Sequence, residues 1–123
     1  MNQILILSGA VITAIWGIAH LFPTKSVIKD FGDISFDNKR ILAMEWINEG
    51  ITLIFVGILT GGAALININS PISGYVFWVS SMALIVMAAV SFFTGFKINF
   101  LPYKLCPLLF LISAALFLTG YYL

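Results

Sequence analysis

Two glutamates and a histidine are the side chains of this sequence that could move protons or hold a polar ligand. Glu45 and Glu49 are four residues apart in the segment MEWINEG, with Asn48 between them, and His20 is the single histidine. On a helix, this spacing places the two carboxyl groups and the amide on one side. A carboxyl group and an imidazole within hydrogen-bond reach can exchange a proton with each other or with a bound molecule. The pattern indicates acid–base chemistry or polar ligand binding, and it leaves open whether the protein is an enzyme.

Metal binding is the other chemistry that these residue types could serve, since zinc, iron and manganese take imidazole and carboxylate ligands. The single histidine has no glutamate three residues away on either side. It also excludes haem held by two histidines, and the single cysteine, Cys106, excludes an intrachain disulfide. We therefore predict no metal site, and the sequence identifies no cofactor.

The elements that position these residues are apolar enough to lie in a membrane. Of the 123 residues, 61% are hydrophobic and 9% are charged, whereas roughly 25% are charged in a soluble domain. Four apolar segments, 4–22, 41–65, 75–93 and 105–123, each have about the 20 residues that a helix needs to cross a hydrocarbon layer about 30 Å thick. The sequence predicts an all-α fold in which residues 1–123 form a single domain, a polytopic membrane protein with a four-transmembrane-helix bundle.

The charged residues predict how the bundle is oriented. Every Lys, Arg, Asp and Glu lies in or beside the first connection (23–40) or the third (94–104), and the second connection (66–74) and both chain ends have none. By the positive-inside rule, the first and third connections are cytoplasmic and both termini are outside. The modest positive charge of the first connection suits anionic headgroups of membrane lipids, and we expect no nucleic-acid partner.

Local patterns predict where the helices begin, end and pack. Val27, Ile28 and Phe31 would share one side of a short interfacial helix that ends at Gly32. Ser35 or Asp37 would cap the second spanning helix, and Pro107 would lie in the first turn of the last spanning helix. Gly50, Gly57 and Gly61 would let the second spanning helix pack closely within the bundle.

Glu49 lies too deep to be an ordinary surface residue. Measured from Arg40, it is about nine residues, or ~13 Å, along the helix axis. A carboxyl group at that depth must be protonated, paired or in contact with water. His20 lies near the same membrane face, at the end of the first segment. We therefore expect a polar pocket between the helices in the cytoplasmic half.

The candidates for catalysis in this pocket are Glu49 and His20. Each residue also has a simpler explanation. Glu45 could be solvated or form a salt bridge with Lys39, Arg40 or Lys104. His20 could lie at the membrane interface, and Asn48 could form only a hydrogen bond between helices. The side chains expected to bind a ligand are Glu45, Asn48, Glu49, His20, Trp16 and Trp46.

The layout resembles the DoxX-like group of small four-helix bacterial membrane proteins. The resemblance covers nearly the whole chain and is carried by EWINEGITLIFVGILTGG, KDFGD and LCPLLFLISAALFL. It implies a membrane subunit or accessory protein of the bacterial inner (plasma) membrane, linked in some members to quinone-dependent sulfur oxidation or redox defence. Either Glu45 or Glu49 would be the acid that opens the second helix, and the resemblance does not extend to His20.

Three functions fit these features. The first is a binding protein that holds a quinone or other hydrophobic ligand as an accessory or redox-linked subunit. The second is a proton-coupled small-molecule transporter that acts as a homodimer, with protonation of Glu49 alternating with substrate binding. The third is an assembly subunit whose glutamates anchor a partner membrane subunit. Because the polar side chains are concentrated on one side of the membrane, a pocket is favoured over a conduit.

Overall fold

Five helices and no strands make up the computed structural model, which describes all 123 residues. The helices are α1 (Gln3–Leu21), α2 (Thr24–Asp30), α3 (Phe36–Asn67), α4 (Pro71–Thr94) and α5 (Leu101–Tyr122). All except α2 are long and apolar enough to span a membrane. The predicted all-α bundle with four spanning helices is confirmed, and the chain is a multi-pass membrane protein.

The four spanning helices form a ring in the order α1, α3, α4, α5. The most extensive packing joins α1 to α3 and α4 to α5, α1 also packs on α5, and α3 meets α4 more sparingly. The buried residues of α3 run from Gly50 to Ala64, and those of α4 run from Ser73 to Ala88. The first turns of α3 and the last turn of α4 therefore lie outside the core, and space remains between the helices at that end.

Glycines bring α1 and α3 into direct backbone contact. A β-carbon on Gly17 would lie 2.7 Å from the carbonyl oxygen of Gly50, and one on Gly57 would lie 2.7 Å from that of Ala10. A β-carbon on Gly61 would have an ordinary contact of 3.5 Å with the Ala10 side chain. Helices in lipid associate by such close van der Waals packing. The glycines of α3 thus pack within the bundle, and they fix α1 beside α3.

The two ends of the bundle differ in composition. At one end the backbone N–H of Asn2 donates to the Gly120 carbonyl oxygen (2.6 Å), and the Gln3 side chain donates to the Ala64 carbonyl oxygen (2.8 Å). This end holds both chain termini and the second connection. The other end, which we call the charged end, holds the first and third connections, as their charges indicated.

The first connection contains the short helix that the sequence predicted before Gly32. Helix α2 buries Val27 and packs on α3, and Gly32, which follows it, has φ +72°, a conformation that residues with a β-carbon rarely adopt. Of the two proposed caps, the Ser35 hydroxyl accepts the backbone N–H of Asn38 (3.1 Å). Asp37 lies inside the first turn of α3.

The prediction for the start of the last helix was wrong. Helix α5 begins at Leu101, so Pro102 occupies its first turn and Pro107 lies inside the helix. A proline has no N–H to donate to the carbonyl four residues earlier, here that of Tyr103. Interior prolines are tolerated in membrane helices, since neighbouring groups can satisfy the freed carbonyl. The earlier start adds Tyr103 to the helix, one turn before Cys106.

Candidate functional site

A cavity of about 490 Å³ opens between the helices at the charged end. All five helices and the third connection contribute to its wall, because α3 and α4 separate where the core ends. Its volume is within the range of about 300–1,000 Å³ typical of small-molecule sites. The polar and aromatic side chains on its wall are Trp16, His20, Trp46, Glu49, Ser91, Thr94, Phe100, Tyr103 and Cys106.

His20 and Glu49 meet on this wall. The Nε2 atom of His20 lies 3.4 Å from the Oε2 atom of Glu49. The His20 side chain is only 6% exposed and that of Glu49 is 37% exposed. No hydrogen bond of good geometry reaches His20 Nε2. The two residues predicted as the candidates for catalysis are therefore neighbours, and the imidazole retains a free nitrogen.

Trp46 fixes the position of the His20 ring. The two rings stack with centroids 3.9 Å apart and planes 16° from parallel, and the Trp46 indole N–H donates to the His20 carbonyl oxygen (2.6 Å). That carbonyl lies in the last turn of α1, where helical partners are missing. Trp46 therefore caps α1 and holds the imidazole in place. It packs edge-on against Tyr103 with ring centroids 6.0 Å apart.

Trp16 carries a second free nitrogen on the cavity wall. It is one turn before His20 on α1, and its Nε1 atom is buried without a hydrogen-bond partner. The Cys106 thiol lies close enough to accept a weak hydrogen bond from it, but no hydrogen bond of ordinary geometry forms. A buried donor without a hydrogen-bond partner lowers the stability of the folded protein by about 1–3 kcal/mol. A ligand with an acceptor oxygen would remove that cost.

Glu45 and Asn48 lie outside this cavity. Both are exposed and line a neighbouring groove of about 470 Å³, together with Glu49 and Thr52. Successive residues of a helix are about 100° apart, so Glu49 is turned about 40° from Glu45 towards Trp46, and Asn48 is turned about 60° the other way. The predicted polar face of α3 is therefore divided between two spaces.

The salt bridges considered for Glu45 do not form. The single acid–base contact of the structure within 4.0 Å is that of His20 with Glu49. Lys104 instead places its ammonium group 5.7 Å from the centre of the Phe96 ring. Both glutamates of α3 thus lack a lysine or arginine partner.

Sequence reasoning did not place Tyr103 and Cys106 among the binding residues. They are three residues apart, which puts them on one face of α5, and both line the cavity. Pro102 fits the preference of proline for the first turn of a helix, but Pro107 fits it equally well, so this signal alone did not indicate the face.

The arrangement can bind a flat polar group and exchange a proton with it. No group of three or more His, Cys, Asp or Glu side chains converges on a point where a metal ion could bind. The site offers instead an N–H donor, an imidazole nitrogen beside a carboxyl group, and aromatic walls. The chain matches no protein-family model, no curated protein and no solved structure.

Proposed function

We propose that this protein binds a lipid-like molecule with a flat, carbonyl-bearing head, such as a quinone, in the cavity at the charged end. The observation that carries the proposal is the pair of free ring nitrogens, Trp16 Nε1 and His20 Nε2, both buried on one cavity wall. Buried polar atoms are almost always hydrogen-bonded in native proteins. A head with carbonyl oxygens would accept from the Trp16 N–H and bond with His20.

The charges on the wall favour a neutral head over a phosphate. No lysine or arginine lines the cavity, and Glu49 is its one carboxyl group. Phosphate groups are held by arginine, lysine or several backbone N–H groups, and no lysine or arginine is present on this wall to hold the phosphate of a phospholipid. A quinone ring is uncharged and can pack flat against the side chains of Trp16 and Trp46.

The packed half of the bundle favours a pocket over a transport path. Four of its buried hydroxyls donate to backbone carbonyls: Thr13 to Gly9 (2.8 Å), Thr60 to Val56 (2.8 Å) and Ser81 to Phe77 (2.7 Å) within their own helices, and Ser73 to Asn67 of α3 (2.6 Å). Hydroxyls used in this way do not form a chain of polar groups across the bundle. This supports a binding or accessory role over the proton-coupled transporter.

The resemblance to the DoxX-like group adds to the proposal a role as an accessory or redox-linked subunit of the bacterial inner membrane. The same proposal places the cavity on the cytoplasmic side, because the charged end carries every lysine and arginine. A quinone would then reach the site from the inner leaflet, and its tail would stay among the lipid chains.

The test is solvent extraction of protein purified in mild detergent, followed by mass analysis of the extract. We expect a quinone-like molecule in the wild type and roughly fivefold less in Trp16→Phe, since one lost hydrogen bond weakens binding by about 1 kcal/mol. Trp78→Phe is the matched control, because Trp78 lies beside Tyr122 near the C-terminus (ring centroids 6.2 Å apart). Extracts that are repeatedly empty, or equal for both variants, would contradict the proposal.

A further inference from the structure

Glu49 lies on the boundary between two spaces. It lines both the cavity that holds the free nitrogens of Trp16 and His20 and the groove lined by Glu45 and Asn48. The groove opens at the charged end, where Glu45 and Asn48 are exposed. Glu49 is the one carboxyl group that lines both spaces, so it reaches the proposed ligand on one side and the groove on the other.

We propose that Glu49 is the proton-exchange residue of the site, which carries protons between His20 and the solution at the charged end. The proposal deepens the binding function above and depends on it. It assigns to Glu49 a task separate from holding the ligand, which is to set the protonation state of the bound head.

Exposure determines the route. The His20 side chain is 6% exposed, and its Nε2 atom is buried, so a proton on this nitrogen does not reach water directly. The Glu49 side chain is 37% exposed, and its Oε2 atom is 3.4 Å from Nε2. A hydroxyl of the bound head would give its proton to Nε2, the Glu49 side chain would turn to bring its carboxylate into line with the Nε2–H and take that proton, and the carboxylic acid would release it into the groove. The steps run in reverse for uptake, and no electron moves.

Other titratable groups face the site without offering this route. Tyr103 of α5 lines both the cavity and the groove, and Cys106 lines the cavity, but a phenol and a thiol are weak acids that stay protonated at neutral pH. Glu45 of α3 faces only the groove. Helices α2 and α4 and the third connection place no acid, histidine, lysine or arginine on the cavity wall.

In this proposal, protons are exchanged with the solution at one end of the bundle, the charged end. The hydroxyls of Thr13, Thr60 and Ser81 in the packed half donate to carbonyls of their own helices, as described above. These three hydroxyls do not extend a relay from the cavity to the end that carries the chain termini. The proposal therefore assigns the groove at the charged end as the route by which protons enter and leave the site.

The experiment uses a hydroxynaphthoquinone whose ionised form absorbs visible light. The probe, at a saturating concentration, is bound to the full chain in nanodiscs, and a stopped-flow pH jump records the colour change of the bound fraction. We expect Glu49→Gln to slow this change about 100-fold, the size of a general acid–base effect. Asp37→Asn, the matched control in the same helix, changes an acid that lines neither space and should keep the wild-type rate.

The outcomes separate this inference from the proposed function. A probe that binds Glu49→Gln and changes colour at the wild-type rate overturns the inference and leaves the binding function intact. A probe that does not bind the wild type overturns both. If Glu49→Gln does not bind the probe, Glu49→Asp decides, because its shorter side chain keeps the acid but moves it away from His20. Slower exchange in that variant supports the inference, and an unchanged rate overturns it.

Discussion

Substitution of Gly17 by alanine should damage the site from a position outside the cavity. Gly17 lies one turn before His20 on α1, and it packs on α3 at Gly50, the neighbour of Glu49. A β-carbon at position 17 would lie 2.7 Å from the Gly50 carbonyl oxygen and 2.8 Å from the Ile54 backbone nitrogen. These are backbone atoms of a helix, so they cannot move aside as a flexible side chain would.

The structure gives the size of the displacement. Ordinary contacts of a β-carbon begin at 3.4 Å, so α1 and α3 must separate by about 0.7 Å to relieve the contact at 2.7 Å. The same movement would lengthen the distance of 3.4 Å between His20 Nε2 and Glu49 Oε2 to about 4 Å. Overpacking of this kind costs about 1–3 kcal/mol of unfolding free energy.

The assay is equilibrium unfolding in mixed micelles, combined with quinone binding on the folded protein. Gly62→Ala is the matched control, because a β-carbon there meets nothing within 4 Å. We expect Gly17→Ala to lose stability and to bind quinone more weakly, and we expect Gly62→Ala to do neither. Equal stability and equal affinity in the two variants would refute the close approach of α1 and α3 that positions His20 and Glu49.

Two further substitutions test individual contacts. Trp46→Phe keeps an aromatic ring on His20 but loses the hydrogen bond to the His20 carbonyl. We therefore expect the free energy of unfolding to fall by about 1 kcal/mol and quinone binding to weaken. Unchanged values would show that this hydrogen bond does not contribute. Gly32→Ala places a β-carbon on a residue with φ +72°, so we expect the free energy of unfolding to fall by about 1 kcal/mol in the same assay. Quinone affinity should not change, because Gly32 does not line the cavity.

The sequence predicted the elements of the fold well, because the requirements of a membrane are simple. An apolar run of about 20 residues has few alternatives to a spanning helix. The short helix before Gly32 and the cap at Ser35 were also predictable, because both depend on residues close in the chain. The start of α5 was not, since Pro102 and Pro107 both fit the preference of proline for a first turn and only packing distinguishes them.

The site was predictable in part. The depth of Glu49 and the position of His20 at the same membrane face are properties of the sequence, and the structure brings these two side chains together. The rotation of α3 about its axis is set by contacts with α1, so the separation of Glu49 from Glu45 and Asn48 could not be predicted. The bond from Trp46 to the His20 carbonyl joins residues 26 positions apart, and no local pattern indicates it.

In the proposed complex, the indole N–H of Trp16 donates a hydrogen bond to a carbonyl oxygen of the quinone head. NMR of the indole N–H groups tests this bond most directly. The three tryptophans give three indole signals: that of Trp16 is free, that of Trp46 is bonded to the His20 carbonyl, and that of Trp78 lies far from the cavity. During titration with a quinone, we expect the Trp16 signal to move downfield to saturation while the Trp78 signal stays in place. A Trp16 signal that does not move at saturating quinone would contradict the account.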